Sequence, residues 1–226
     1  MSLKAKLVLR ALIGLPLMAA ILFIPAGSLR FWQGWALLSL MGVSGLVFVI
    51  YYYKRDPRFL ESRLLMREKI SEQKLIMKLM RLVFFSSYLL AGLDYRLGWS
   101  RLFLRPVPLW LTVLSLVLVL GSYLFLFWVL HVNRFAASII QVGAGQAVIS
   151  TGPYRIVRHP MYFGMIVTWL FIPLALGSYF AWPAFALLIP GIVLRLLNEE
   201  RVLRRELPGY AEYCLRTRFR LIPFLW

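Results

Sequence analysis

Two polar clusters in the C-terminal half hold the side chains best suited to chemistry. The first, residues 152–164, reads Gly-Pro-Tyr-Arg-Ile-Val-Arg-His-Pro-Met-Tyr-Phe-Gly and runs directly into an apolar stretch. The second, residues 195–201, reads Arg-Leu-Leu-Asn-Glu-Glu-Arg. Guanidinium, imidazole, phenol and carboxylate groups bind charged ligands and exchange protons. The two clusters are therefore a candidate site, provided that the intervening chain brings them together.

The chain between the clusters predicts a membrane hairpin. Residues 161–194 carry no charge, and about 20 apolar residues suffice for a helix to cross the hydrocarbon core of a bilayer. We predict spans at 161–180 and 181–197, joined by a short turn, so that 161–197 is a helical hairpin. A hairpin returns the chain to its starting side, which places both clusters at one face of the membrane.

A proline marks where the hairpin begins. Pro160 suits the first position of a helix, because its φ is already fixed near the helical value and its missing N–H is not needed there. His159 would then precede the helix and Tyr162 would lie about one turn deeper.

Composition indicates a membrane protein. Of the 226 residues, 61% are hydrophobic, and the mean hydropathy is +0.76. The formal net charge of +17 could indicate nucleic-acid binding. The basic residues, however, lie between apolar runs, where they set orientation and contact anionic headgroups. We therefore predict a lipid bilayer as partner and no nucleic acid.

Cysteine and histidine are scarce. Cys214 is the single cysteine, which precludes an intramolecular disulfide. The only histidines are His131 and His159, and no ligands stand at metal-binding spacing. We predict no metal site, and the sequence does not indicate an oligomeric state.

Four further spans precede the hairpin, which predicts an all-α membrane protein with about six transmembrane helices. They are expected at 11–29, 31–53, 75–93 and 106–130. The third requires Lys78 and Arg81 to extend towards the headgroups. We divide the chain into two parts. Residues 1–131 form the first four helices, and residues 132–226 form a C-terminal catalytic region on the cytoplasmic side. The second part contains the hairpin and a charged amphipathic helix over 198–217 that is broken near Pro208.

Residues 54–81 predict a basic amphipathic helix on the membrane surface. Nine lysine or arginine residues alternate there with apolar ones at near-helical spacing. This segment is either a platform that admits a lipid substrate or a topological anchor, and the pattern is compatible with both.

Charge asymmetry predicts the orientation. With six spans, 22 of the 26 Lys and Arg residues lie on the side of the two termini. The four on the opposite side are Arg30, Arg96, Arg101 and Arg105. Positive residues accumulate on the cytoplasmic side. We therefore predict a multi-pass protein with both termini and the candidate site in the cytoplasm.

Several linked motifs resemble a known family. They are Arg-His-Pro-Met-Tyr-Phe-Gly at 158–164, the Glu199-Glu200 pair one hairpin later, and Gly-Tyr-Ala-Glu-Tyr at 209–213. In this order they resemble the integral-membrane methyltransferases of the isoprenylcysteine carboxyl methyltransferase and phospholipid N-methyltransferase group. The resemblance implies methyl transfer from S-adenosylmethionine (SAM) to a lipid-like or prenylated acceptor, and we favour O-methylation of a carboxylate, as on isoprenylcysteine.

Three other functions stay open at this point. One is N-methylation of a phospholipid amine, and another is an NADPH-dependent membrane reductase of the sterol-reductase type, whose C-terminal half also resembles the Arg-His-Pro region. The third is a non-catalytic membrane scaffold or lipid-binding protein. Methyl transfer from labelled SAM, NADPH oxidation and SAM binding distinguish these functions.

The resemblance also implies which residues form the site. The implied cofactor-binding residues are Gln146, Gly152, Tyr154, Arg158, His159, Tyr162, Glu199, Glu200, Tyr210 and Tyr213. A glutamate would complement the sulfonium charge or the ribose hydroxyls of SAM, or accept the proton of an amine acceptor. Because one or both glutamates could act, Glu199 and Glu200 are both candidate catalytic residues.

Arg195 is the third candidate catalytic residue. It lies one turn before Glu199, so the two side chains could form an i, i+4 ion pair. Its planar guanidinium could instead bind an anionic group of the substrate. The sequence supports both interpretations.

A soluble dinucleotide-binding domain is not expected. Gly143-Ala144-Gly145 resembles part of a glycine-rich phosphate loop, but the third glycine and the surrounding βαβ pattern are missing. The cofactor must therefore lie between the segment 132–151 and the membrane helices.

Overall fold

The computed structural model describes residues 2–65, 71–135 and 145–226, and the regular structure of these residues is entirely helical. The helices are α1 (Leu3–Ala26), α2 (Trp32–Arg55), α3 (Pro57–Leu65), α4 (Ser71–Leu97), α5 (Leu109–Val132), α6 (Pro160–Ala175), α7 (Trp182–Ala186), α8 (Leu188–Glu206) and α9 (Tyr210–Arg216), with a π-helical turn at Ser100–Leu104 and a 3-10 turn at Gly152–Arg155. The predicted all-α class is confirmed.

The number of apolar helices agrees with about six spans. Within the described residues, five stretches are long and apolar enough to cross a membrane, namely Leu3–Ala26, Trp32–Arg55, Gln73–Leu97, Leu109–Val132 and Trp182–Glu206. The sixth, Pro160–Ala175, is apolar but shorter. The protein is therefore a multi-pass integral membrane protein.

Several boundaries differ from those predicted, for local reasons. Helix α1 begins eight residues early because the Ser2 hydroxyl caps it by accepting from the Ala5 N–H, and it ends at Gly27, which has a φ of +62°. The hairpin turn spans 176–181 and is followed by the short α7. Helix α8 continues to Glu206, so the residues after 198 that we assigned to a separate amphipathic helix extend the last span.

The basic segment 54–81 is not one helix in the described residues. Helix α3 begins at Pro57, and the lysines and arginines from Lys74 onwards belong to the spanning helix α4. Residues 66–70 of this segment lie outside the described residues. Residues 136–144 do too, and they include Gly143 and Ala144 of the Gly143-Ala144-Gly145 motif.

Two glycines allow the helices to pack closely. A Cβ at Gly164 of α6 would lie 2.9 Å from Leu126 on α5, and a Cβ at Gly92 of α4 would lie 2.5 Å from the Leu22 carbonyl oxygen on α1. Small residues at such crossings let helix backbones approach in a membrane. Gly164 thus brings the start of the hairpin against the fourth span.

Contacts between helix ends define two ends of the bundle. The Tyr51 hydroxyl lies 3.1 Å from His131 Nδ1, and Arg134 forms an ion pair with Asp56. These contacts bring together the last turns of α2 and α5 at what we call the site end, where α6 also begins. At the other end, called the opposite end, Asp94 of α4 bonds to Ser178 of the hairpin turn at 2.5 Å.

Candidate active site

The start of α6 is held by the C-terminal tail. Pro160 is the first residue of the helix and His159 precedes it, as predicted. The Arg158 N–H donates to the Phe219 carbonyl and the His159 N–H donates to the Arg220 carbonyl, both at 2.9 Å. The tail backbone therefore satisfies the N–H groups just before the helix.

Glu200 is the centre of a buried ionic network. Its side chain is 5% exposed and accepts from Arg158 Nε at 2.6 Å and from Arg220 Nε at 2.9 Å. His159 Nε2 lies 3.3 Å from the same carboxylate. Arg158 Nη1 also donates to the carbonyls of Thr217 and Arg218, each at 3.0 Å. Glu200 thus links α8, the start of α6 and the tail.

Tyr162 connects the other candidate residues. Its hydroxyl donates to Glu199 Oε2 and accepts from Arg195 Nε at 3.2 Å. The His159 ring stacks on the Tyr162 ring, with centroids 5.7 Å apart. The structure therefore links Arg195 and Glu199, for which an i, i+4 ion pair was one expectation, through a phenol from the facing helix.

Three tyrosines line the region next to this network. The Tyr213 hydroxyl donates to the Tyr154 carbonyl at 2.7 Å, and the Tyr210 and Tyr213 ring centroids lie 5.7 Å apart. Burial raises the pKa of Tyr154, Tyr210 and Tyr213 above the ordinary value for a phenol. All three therefore stay neutral and able to donate hydrogen bonds at physiological pH.

These side chains border a cleft at the site end. It contains about 730 Å³ of empty space, part of it open to solvent. The lining residues are Asn133, Phe135, Gln146, Ala147, Val148, Ile149, Tyr154, Arg158, His159, Met161, Tyr162, Glu199, Val202, Leu203, Leu207, Tyr210 and Tyr213. One wall is polar and the other aliphatic, so the cleft suits a ligand with a charged end and a flat apolar end.

A second, mostly apolar cavity adjoins the cleft. It contains about 710 Å³ of empty space between α4, α6 and α8. The lining residues are Arg63, Met77, Met80, Arg81, Phe84, Met161, Tyr162, Met165, Trp169, Leu188, Ile192 and Arg195. Met161 and Tyr162 line both spaces, so the first turn of α6 is their common wall.

Most of the predicted cofactor residues line the cleft, and three candidates do not. Arg195 lines the apolar cavity instead. Glu200 lies behind the cleft wall, with its carboxylate bound by Arg158 and Arg220. Gly152 has a φ of +56° in the 3-10 turn, and a Cβ there would lie 3.1 Å from Val132. Its position is explained by a close turn against α5.

Sequence reasoning missed several residues of this region. Arg220 and the tail backbone contact the site across long sequence separations, which no local pattern reveals. Asn133, whose side chain bonds to Tyr154, follows a predicted span and looks like an ordinary helix end. Arg63 was counted only as one charge among nine in the basic segment.

Fold and site together give a membrane protein with a partly polar cleft beside a mostly apolar cavity. Residues 110–208 match the model of the phospholipid methyltransferase family. This stretch is therefore a domain of the family of membrane methyltransferases that the motifs indicated. A domain of this family implies a methyltransferase with SAM as methyl donor. A comparison with curated proteins found no match.

Proposed function

We propose that the protein transfers a methyl group from SAM, bound in the cleft, to a lipophilic acceptor held in the adjoining cavity. The observation that carries this proposal is the common wall: Met161 and Tyr162 line both spaces. A reaction between a polar donor and a lipid requires that both be held in contact, and holding two reactants together contributes much of the rate enhancement in such transfers.

The cleft residues fit SAM. The Tyr210 hydroxyl is buried in the lining without a hydrogen-bond partner among the described residues, which favours a ligand that accepts a bond there. Glu199 supplies a negative charge for a sulfonium or an acceptor for ribose hydroxyls, and the aliphatic wall, with Leu203 and Leu207, suits an adenine ring. When bound, SAM would supply an electrophilic methyl group, which the acceptor nucleophile attacks directly while the carbon–sulfur bond breaks and S-adenosylhomocysteine leaves.

The protein's own residues orient and desolvate the reactants. Tyr162, at the common wall, fixes Glu199 and Arg195 through its hydroxyl. Arg195 faces the cavity, where its guanidinium binds the acceptor carboxylate and holds it towards the cleft. A carboxylate is already ionised at neutral pH, so no general base is needed. Glu200 positions Arg158 and His159 rather than contacting the reactants.

We favour O-methylation of a carboxylate, as on isoprenylcysteine, because Arg195 is a cation in the acceptor cavity. N-methylation of a phospholipid amine is the second candidate, supported by the family match and by Glu199, which could accept the proton of an amine. Glu199 therefore discriminates between the two reactions.

Labelled methyl transfer tests the proposal. The purified protein in lipid nanodiscs is incubated with methyl-labelled SAM and a membrane lipid and peptide extract, and the product is treated with alkali. A methyl ester releases labelled methanol, whereas an N-methylamine keeps its label. Absence of labelled product together with absence of S-adenosylhomocysteine binding would overturn the proposal, and NADPH oxidation by the same preparation would favour a reductase.

A matched pair of variants separates the two acceptor types. Glu199→Gln removes the carboxylate in the cleft, and Glu206→Gln removes an exposed one from the same helix. Ester formation should fall less than about tenfold in Glu199→Gln, whereas amine methylation should lose the 10²–10⁴-fold that a general base contributes. Glu206→Gln should match the wild type in both.

We further propose that the site end faces the cytoplasm. The support is the distribution of charge, with the basic residues concentrated at that end, and the availability of SAM there. In a Cys214→Ser background, Lys4→Cys and Arg101→Cys should react with an impermeant maleimide from opposite sides of sealed vesicles. Labelling of both from one side would contradict the orientation.

A further inference from the structure

The tail that follows α9 closes into a ring of backbone hydrogen bonds. The N–H groups of Arg220, Leu221 and Ile222 all donate to the Trp226 main-chain oxygen, at 2.9, 2.9 and 3.1 Å. Successive backbone N–H groups that converge in this way form a concavity for an electronegative atom. The Trp226 N–H in turn donates to the Ile222 carbonyl at 3.1 Å. The ring of bonds therefore fixes Trp226 beside Arg220.

The turn that closes this ring is imposed on the backbone. Phe224 has a φ of +64° and is the only non-glycine residue with a positive φ in the described part of the chain. Residues other than glycine hold such a conformation only where the surroundings impose it. The Phe224 side chain is 91% exposed, so its burial does not hold the turn. The bonds to the Trp226 oxygen do.

The Trp226 side chain lies between the core and a guanidinium. Its ring packs against the main hydrophobic core, to which the buried Leu221 also belongs. The Arg220 guanidinium carbon lies 5.4 Å from the centroid of the same ring. A guanidinium at this distance is attracted to the face of an indole. The ring therefore restricts where the Arg220 side chain can lie.

Three groups of Arg220 connect Trp226 to the candidate active site. The Arg220 N–H donates to the Trp226 oxygen, and its carbonyl accepts from the His159 N–H at 2.9 Å. Its Nε donates to Glu200 at 2.9 Å, and Glu200 also binds Arg158. Arg158 and His159 line the cleft, whereas Trp226 is not among the described residues that do. Any effect of Trp226 on the cleft must therefore pass through its neighbours.

We propose that Trp226 is a positioning residue of the active site, which acts by holding Arg220 against Glu200 and the start of α6. The use of this wall of the cleft to bind SAM rests on the proposed function, whereas the link from Trp226 to the wall does not. The alternative is a tryptophan that only anchors the tail at the membrane interface. Such an anchor would leave Arg158 and His159 in place when it is removed.

Amide hydrogen exchange tests the link without any ligand. The whole chain is reconstituted in nanodiscs, and exchange is followed by mass spectrometry in two peptides, residues 156–163 and 176–182. The first contains the two N–H groups that bond to the tail, and the second is the hairpin turn at the opposite end. Trp226→Ala should raise the exchange rate of the tail-bonded N–H groups about fivefold, within the range of a cation–π contact, and leave the second peptide unchanged.

Two outcomes of this experiment would overturn the proposal. Unchanged exchange in the first peptide would show that Trp226 is an interfacial anchor only. Faster exchange in both peptides would show a general loss of stability rather than positioning of the site.

Matched variants identify the indole ring as the cause. Trp226→Phe keeps an aromatic face for Arg220 and should restore most of the protection. Leu225→Ala removes a side chain that is 76% exposed from the same tail and should match the wild type. In an Arg220→Ala background, Trp226→Ala should add less than about twofold, because residues that act through one another are not additive. Fully additive effects would contradict a role through Arg220.

Binding of S-adenosylhomocysteine separates this inference from the proposed function. If the wild type binds it, Trp226→Ala should weaken the affinity about fivefold, as for the exchange rate, and Trp226→Phe should recover it. Unchanged affinity in Trp226→Ala would overturn the positioning role. If the wild type does not bind it, the proposed function fails, and the exchange rates alone decide whether Trp226 holds the start of α6.

Discussion

The two ends of the bundle each bury a carboxylate, but the groups that bind it differ. At the opposite end, Asp94 accepts from the Ser100 N–H at 2.7 Å and from the hydroxyls of Ser100 and Ser178 at 2.5 Å. At the site end, Glu200 is bound by Arg158 and Arg220. Neutral donors join the end of α4 to the hairpin turn, whereas charged donors build one wall of the cleft.

The difference separates a structural role from a functional one. Ser100 Oγ also accepts from the Tyr179 N–H at 2.9 Å, so the Asp94 cluster closes on the backbone of the hairpin turn. The Glu200 network ends in Arg158 and His159, which line the cleft. Damage at the opposite end should therefore change stability, and damage at the site end should change stability and activity together.

The largest effect is expected for Glu200→Gln. It leaves two arginines beside a neutral amide in a buried site, and breaking a buried ionic network by removing one partner costs about 3–5 kcal/mol. We expect a loss of this order in the free energy of unfolding in mixed micelles and a weaker affinity for S-adenosylhomocysteine. Unchanged affinity would show that the network does not shape the cleft.

Tyr162→Phe should impair catalysis more than folding. It removes the hydroxyl that links Arg195 to Glu199 at the common wall. Misplaced reactants cost about 10²-fold in rate, so kcat should fall by about that factor while the affinity for S-adenosylhomocysteine stays within about twofold. Tyr179→Phe at the opposite end is the control and should keep full activity. A wild-type kcat in Tyr162→Phe would exclude this hydroxyl from the reaction.

Asp94→Asn should produce the converse result. The Asp94 carboxylate is bound by neutral donors, and weakening such buried hydrogen bonds costs about 1–3 kcal/mol. The unfolding temperature should therefore drop, while kcat/KM for methyl transfer stays within about twofold. An activity loss as large as that of Glu200→Gln would break the distinction between the two ends.

The smallest effect concerns pH. Burial raises the pKa of Tyr210 and Tyr213, so both phenols stay protonated as pH rises to and beyond about 10. Ionisation of these two phenols should therefore not change the affinity for S-adenosylhomocysteine between about pH 7 and 9. A loss of affinity in that range that disappears in Tyr210→Phe would contradict it.

The fold was largely predictable because span length and charge patterning are local signals. Uncharged runs revealed most helices, and hairpin geometry placed His159 and Glu199 together. The helix ends were less predictable, because a capping hydroxyl at Ser2 and continued helix after Asn198 depend on a few bonds. The site was predictable only where motifs were contiguous. Arg220 and Arg63 reach it through tertiary packing that leaves no periodic trace in the sequence.

The single helical turn that separates the cleft from the cavity bears on the energetics of turnover. Withdrawing a hydrocarbon chain into water costs about 0.8 kcal/mol per methylene, a barrier that would dominate a catalytic cycle for long chains. In the reaction that we propose, Met161 and Tyr162 form a shared partition, so that the acceptor's tail would keep its hydrocarbon surroundings while only its head is presented to the donor. Product would then return to the bilayer by lateral diffusion, without a carrier for extraction.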